Sequence, residues 1–226
     1  MKNRVDGTRR WSSILRHSLA LLIFISGSMI AWAQQWPASG LQSPSSSGFL
    51  PDASIQPLPA EGKFKLAAED SFNPYAYPLA GMFAELAQAQ HDPKSWGQGW
   101  GSFGKRYVAS FADQTDENMM TEAVLPVLLK EDPRYFRLGR GSFFKRTTYA
   151  MSRIWVTRLD AGGQTFNFSE IAGAAASSAI SNLYYPPEDR TLSKNLRRWG
   201  LFVGGDTVFN FLKEYWPDIR HKVFKE

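Results

Sequence analysis

The sequence predicts an all-α fold, and three features carry that expectation. Residues 171–183 concentrate alanine, glycine and serine, a composition with high helix propensity and little side-chain bulk. Apolar residues recur at helical spacing in several windows after residue 73, and no window alternates as a half-buried strand would. The expected architecture is a compact bundle of five or six helices around a small-residue central helix, preceded by a signal peptide and a Pro/Ser-rich linker.

The central helix is expected from Asn167, a side-chain cap with Glu170 three residues on, to the stop at Pro186-Pro187. Gly173, Ser177 and Ser181 fall four apart and predict close backbone approach, as does the Gly200/Gly204 spacing further on. Ile171, Ile180 and Leu183 point in different directions, so no face is set aside for water and burial all round is expected.

Along the chain, Leu79, Met82, Phe83 and Leu86 after Pro78 predict one helix, and Tyr107, Val108 and Phe111 a second, beginning near Phe103. Met119, Met120, Ala123, Val124, Val127 and Leu128 predict a third, kinked or divided at Pro126. Ser142 is placed to cap a helix with Phe143, Phe144, Met151, Ile154 and Trp155 on one face. A long helix is expected from Leu192 to Trp216, ending at Pro217 and weakened by Gly200, Gly204 and Gly205.

Residues 1–33 carry the pattern of a secretory signal: Lys2, Arg4, Arg9, Arg10 and Arg16, then the apolar run Ser18 to Trp32, then Ala31-Trp32-Ala33 as the cleavage site. An uncleaved anchor is the alternative. Residues 34–72, with Pro37, Pro44, Pro51, Pro57, Pro59 and a serine cluster, are expected to be a flexible linker, and residues 73–226 the helical domain. Loss of residues 1–33 removes five Lys/Arg and one acid, lowering the formal net charge from +5 to +1. That leaves no electrostatic case for a nucleic-acid partner. With no cysteine and only three histidines, neither thiolate chemistry nor a Cys/His metal site is expected, and no cofactor is implied.

Two groups of residues invite a functional reading. Arg134, Arg137, Arg140, Lys145 and Arg146 are interleaved with Tyr135, Phe136, Phe143 and Phe144, a combination suited to an anionic membrane surface or an envelope protein. A solvated helix face explains the same residues. Glu170 and Asp206 are acids in small or apolar surroundings, where a carboxyl with a raised pKa serves as general acid or base. Pairing with an arginine such as Arg153 or Arg158 is the structural alternative, and for Glu170 so is capping. Asp113, Asp116, Glu117 and Glu122 form an acidic run, explained either by oxygen coordination of a cation or by a helix start at Thr115.

The segments Asp132 to Arg137 (DPRYFR), Ser152 to Arg158 (SRIWVTR), Phe166 to Ile171 (FNFSEI) and Asn182 to Pro186 (NLYYP) resemble a family of uncharacterised exported proteins of soil bacteria. The resemblance spans roughly residues 96–224, implies export and a single helical domain, and brings no activity with it. The expected function is therefore an exported helical module, non-enzymatic and associated with a membrane or an envelope protein. The alternative is an envelope hydrolase or lipid-modifying enzyme using Glu170 or Asp206 with an arginine.

Overall fold

The computed structural model describes residues 56–224. Helix α1 (Ala60–Phe72) is followed by α2 (Ala76–Gln90) and α3 (Trp100–Asn118). Helix α3 continues through a π-helical turn, Met119–Val124, into the short α4 (Leu125–Leu129). Then come β1 (Glu131–Asp132), α5 (Phe143–Ser152), β2 (Val156–Leu159), β3 (Gln164–Phe166), α6 (Phe168–Ile180) and α7 (Leu192–Phe224). The signal peptide and residues 34–55 of the expected linker lie outside the described residues.

The bundle is mostly helical, but it is not all-α. Strands β1, β2 and β3 form a three-stranded antiparallel sheet in that order, with Glu131 opposite Leu159 and Thr157 opposite Thr165. Each strand has four residues or fewer, too few for alternation to register in the sequence. The hairpin between β2 and β3 turns on Gly162 and Gly163, whose φ of 91° and 88° suits residues without a Cβ.

A second correction concerns residues 60–72, expected as linker. They form α1, whose buried face is Lys63, Ala67 and Ser71. Lys63 Nζ donates to Asp160 Oδ2 at 2.6 Å and to the Pro126 carbonyl at 3.0 Å, while Asn118 Nδ2 donates to Ser71 Oγ at 3.3 Å. A helix that turns Lys, Ala and Ser inward has no apolar period, which is why its sequence resembles a tether.

Helix α6 holds the middle of the bundle, against α3, the π-turn and α7. Asn167 Oδ1 accepts from Glu170 N at 3.1 Å, the expected cap. Gly173 lies so close to the π-turn that a Cβ there would meet Thr121 Cγ2 at 2.9 Å and backbone atoms of Met120 and Thr121 at 3.1 Å. Ser177 is buried, but Ala172, Ala175 and Ala179 are exposed, so α6 is not buried all round. Among the described residues, Gly200 and Gly204 have no neighbour within 4 Å of a built Cβ, and the close packing expected of them is not made there. Helix α7 meets α6 instead through Arg198 Nη1 on the Ser178 carbonyl (2.9 Å) and Trp199 Nε1 on the Ile171 carbonyl (3.1 Å).

Two helix ends differ from expectation. Helix α3 runs through residues 113–117, and Thr115 Oγ1 bonds back to the Phe111 carbonyl at 2.9 Å instead of starting a helix. Helix α7 passes through Pro217. In the turn before it, the Glu214 carbonyl accepts from both Arg137 and Arg146 at 2.7 Å.

Polarity is inverted relative to an ordinary water-soluble bundle. The buried apolar residues are mostly alanines, with Tyr135, Phe136 and Ile154, while Lys63, Arg106, Glu117, Glu131, Asp132, Arg198 and Glu214 are buried with them. Large apolar side chains are found outside. In α5, Phe143, Phe144 and Met151 face outward while Arg146 and Ala150 turn in.

Candidate functional site

Two clefts enter the bundle and share a floor. The first, about 420 Å³, is walled by residues such as Leu79, Phe83, Phe202 and Phe209, and the second, about 530 Å³, by Tyr149, Thr157 and Asn167 among others. Glu122, Asp206 and Lys213 line both; Asp70 and Glu117 face only the first, and Glu170 only the second. The acids and the lysine thus lie deep in the domain yet within reach of solvent through the clefts.

Helix α1, which carries Asp70, joins α3, the π-turn, α6 and α7 in bringing these groups together. On α7, Asp206 and Lys213 are seven residues apart, two turns on one face. Helix α6 presents Glu170 from its first turn, and α3 presents Glu117. The π-turn then widens the helix by one residue per turn and carries Glu122 into the same region, a role in keeping with π-bulges at functional sites. The two acids singled out in the sequence, Glu170 and Asp206, are direct partners.

The arrangement decides where protons sit. Asp206 accepts hydrogen bonds from the carboxyls of Glu170 and Glu117, and Asp70 accepts from Glu122. Burial first, then the neighbouring acids, holds Glu117, Glu122 and Glu170 well above the usual carboxylate range. Burial also raises Asp206, but Glu170, Lys213 and Glu117 oppose it. Lys213 is pulled down by burial and pushed up further by Asp70, Glu122, Asp206 and Glu170, so it stays an ammonium. That state gives the cluster a charge-compensating cation and excludes Lys213 as a neutral amine nucleophile.

Asp206 therefore has a lysine and two carboxylic acids around it, not the arginine the sequence suggested. Arg153 stacks on Tyr149 at 4.7 Å and Arg158 on Phe136 at 4.8 Å. Lys213, Asp70 and Glu117 were not singled out as partners of Asp206. The i, i+7 relation of Asp206 and Lys213 was visible in the sequence; the π-turn was not.

Asp113 belongs to a separate, satisfied arrangement, with Ser181 Oγ at 2.5 Å and the hydroxyls of Tyr184 and Tyr185 each at 2.8 Å. Glu117, Glu122 and Glu170 each bury one carboxyl oxygen (Oε1, Oε2 and Oε1) that accepts no hydrogen bond among the described residues. Among the described residues, no group of three or more His, Asp or Glu is placed to hold a metal ion.

The basic segment divides. Arg134 pairs with Asp132 at 2.6 Å, Arg137 with Asp218 at 2.6 Å, and Arg146 with Glu214 at 2.7 Å and Asp218 at 2.5 Å. Arg140 and Lys145 are exposed in the same stretch as the exposed Phe143 and Phe144. Three of the five cations thus serve to anchor the 133–141 loop and α5 rather than forming one open basic face.

Comparison with protein-family models, with curated proteins and with solved structures finds no match to this chain.

Proposed function

We propose that this chain is an exported, membrane-associated helical module whose outer surface is in contact with lipid. The observation that carries the proposal is the inverted helix α7. Its Leu201, Val208, Leu212 and Ile219 recur on one face at helical spacing and are 51%, 59%, 36% and 41% exposed, and Leu192 and Leu196 are exposed on the opposite side of its first two turns. Across the helix from the face of Leu201, Val208, Leu212 and Ile219 lie Asp206, Lys213 and Glu214. A helix of a water-soluble bundle turns these faces the other way. Phe64, Tyr77, Met82, Val108 and Phe144 on other helices are exposed as well, so the apolar surface is distributed around the bundle instead of forming one partner patch. Apolar exteriors over polar, paired interiors are what a bilayer selects for. Among the described residues no helix is long and apolar enough to cross a membrane, so the proposal is association at the interface.

Flotation of the full chain with phosphatidylcholine vesicles, with and without an anionic lipid, tests this. The chain is expected to rise with both kinds of vesicle and to stay bound in about 1 M salt, because apolar contact is not screened. A monodisperse protein left at the bottom of both gradients contradicts the proposal.

A second reading has its own support: Glu170 and Asp206 both open onto clefts and share a proton, the arrangement a general acid needs. Under it, lipid extracted from the same vesicles shows a new product by mass spectrometry, and Glu170→Gln and Asp206→Asn each abolish that product.

A further inference from the structure

The arginines that the bundle takes in, Arg106, Arg134, Arg137, Arg146 and Arg198, donate to protein oxygens. Arg153 and Arg158 are half-buried and do not: among the described residues neither guanidinium donates a hydrogen bond or joins an ion pair. Each is held by its flat face instead, Arg153 on the Tyr149 ring at 4.7 Å and Arg158 on the Phe136 ring at 4.8 Å. Stacking engages the face of a guanidinium and leaves the in-plane N–H donors unspent. Burial seals Nε of Arg153, but it closes off neither the Nη groups of Arg153 nor the guanidinium of Arg158.

Both arginines line the second cleft, whose volume of about 530 Å³ is in the range of small-molecule sites. Burial raises the Tyr149 phenol and both guanidiniums oppose that rise, which places the pair around one side chain of the wall. The exposed Lys145 lines the same cleft, and among the described residues its ammonium has no carboxylate partner. The acids of the cleft are already committed. Asp132 is paired with Arg134 at 2.6 Å, Glu131 accepts from Ser169 N at 2.9 Å, Asp206 faces Lys213, and Glu122 and Glu170 hold protons. What remains in the cleft is an excess of donors and of positive charge.

That excess selects a ligand class. A cation is repelled, and a neutral ligand leaves the charge uncompensated. A carboxylate has two oxygens in one plane and is satisfied by a single guanidinium fork. A phosphomonoester carries about two negative charges near neutral pH on three oxygens around a tetrahedral centre, so two guanidiniums on separate supports can share it.

We propose that the second cleft binds a phosphomonoester, its terminal oxygens accepting from the Nη groups of Arg153 and from the guanidinium of Arg158, with Lys145 adding charge. Tyr149 and Phe136 set the two guanidinium planes before the ligand arrives, so little side-chain freedom is lost on binding. The site is defined by the cleft, so it is independent of lipid contact at the outer surface.

Isothermal titration of the full chain with glycerol phosphate and with propionate tests the proposal. Glycerol phosphate is expected to bind saturably at one per chain, and propionate at least about tenfold more weakly. Arg158→Gln is expected to keep its circular dichroism spectrum and to lose at least about tenfold in glycerol phosphate affinity. Arg158→Lys and Arg153→Lys keep the charge without the planar fork, and each is expected to bind less tightly than the parent. Lys105→Gln removes an exposed charge outside the cleft and is expected to leave the affinity unchanged. No saturable binding of glycerol phosphate, equal binding of propionate, parent affinity in folded Arg158→Gln or in both lysine variants, or a loss in Lys105→Gln equal to that in Arg158→Gln overturns the proposal. Displacement of glycerol phosphate by phosphatidic acid vesicles but not by phosphatidylglycerol vesicles upholds the site and assigns it to a lipid headgroup. No displacement by either upholds it for a soluble phosphomonoester, and equal displacement by both overturns it, because charge alone then accounts for binding. Glycerol phosphate binding without flotation would uphold the cleft while removing the membrane proposal, and flotation without glycerol phosphate binding would do the reverse.

Discussion

The phenolic hydroxyl of Tyr135 donates to Oε2 of Glu214 across 3.0 Å, at a carboxylate with no exposed surface. Leu138 N and Gly139 N donate to the same side chain at 2.9 and 3.0 Å, and Arg146 Nε at 2.7 Å. One acid on α7 therefore fixes the path of the 133–141 loop and the seat of α5.

Glu214→Ala would leave the Arg146 guanidinium without one of its carboxylates and strand two backbone N–H groups and a phenol. Loss of one partner of a buried ion pair costs about 3–5 kcal/mol. The expected outcome is destabilisation in that range by urea unfolding, with easier proteolysis in the 133–141 loop. Because Asp218 also holds Arg146 and Arg137, Asp218→Ala, at a partly exposed site, is expected to cost less.

The close approach at Gly173 gives a paired test. Gly173→Ala would push a methyl group against Met120 and Thr121 backbone, which cannot swing aside, and overpacking of this kind costs about 1–3 kcal/mol. Gly200→Ala places its methyl in open space within a helix and is expected to stabilise by up to about 1 kcal/mol through helix propensity. Thermal melts of the two variants should move in opposite directions. A shared direction would falsify the assignment of Gly173, and not Gly200, as the tight helix contact.

These pairs show what the sequence made legible. Asn167, Gly173 and Ser142 announced themselves because capping and close packing depend on residue type and spacing alone; Ser142 Oγ does accept from Lys145 N, at 3.4 Å. Helix α1 was hidden because its inward face is Lys63, Ala67 and Ser71, a pattern that no hydrophobic period detects. The same inversion misdirected the basic segment: Arg146 falls on a polar helix face that turns inward, and Arg137, in the 133–141 loop, is drawn in beside it by Asp218. Glu170 and Asp206 could be suspected from their surroundings. Their union with Glu117 and Glu122 depends on a π-turn of six residues, for which the sequence carries no distinct signal.

The acids of the cleft floor set how stability varies with pH. Glu117, Glu122 and Glu170 are raised, by burial first and by neighbouring acids second, whereas in an unfolded chain they titrate near about 4.3. Above that value the folded state retains protons that the unfolded state has released, so stability falls as pH rises, until the folded groups ionise too. Asp218 acts in the other sense. Burial tends to raise it, but Arg146 and Arg137 hold it below the usual range, so its contribution is present above the unfolded value and lost in acid. Urea unfolding across pH is expected to show a maximum on the mildly acidic side and a decline toward about pH 8. Glu117→Gln and Glu170→Gln should each flatten that decline, whereas a parent stability that climbs steadily from about pH 5 to 8 would contradict it.

Lys213 carries the opposite charge in the same cluster, and its removal separates electrostatics from packing. Its ammonium faces Asp70, Glu122, Asp206 and Glu170, so Lys213→Met keeps most of the side-chain length and leaves the acids without that compensation. At about pH 8, where more of the acids are driven to ionise, the loss should approach the roughly 3–5 kcal/mol of a broken buried pair. At about pH 4 the carboxyls hold their protons and need little counter-charge, so the same substitution should cost far less. The raised pKa of Lys213 fixes the sign: a cation stabilised by folding contributes throughout the range below its unfolded value near about 10.4. The change between the two pH values must therefore come from the acids. Paired urea curves of parent and Lys213→Met at both pH values give the answer. A cost that is equal at the two would mean that Lys213 supports the cleft by filling space, and that the carboxyls beneath it do not depend on its charge.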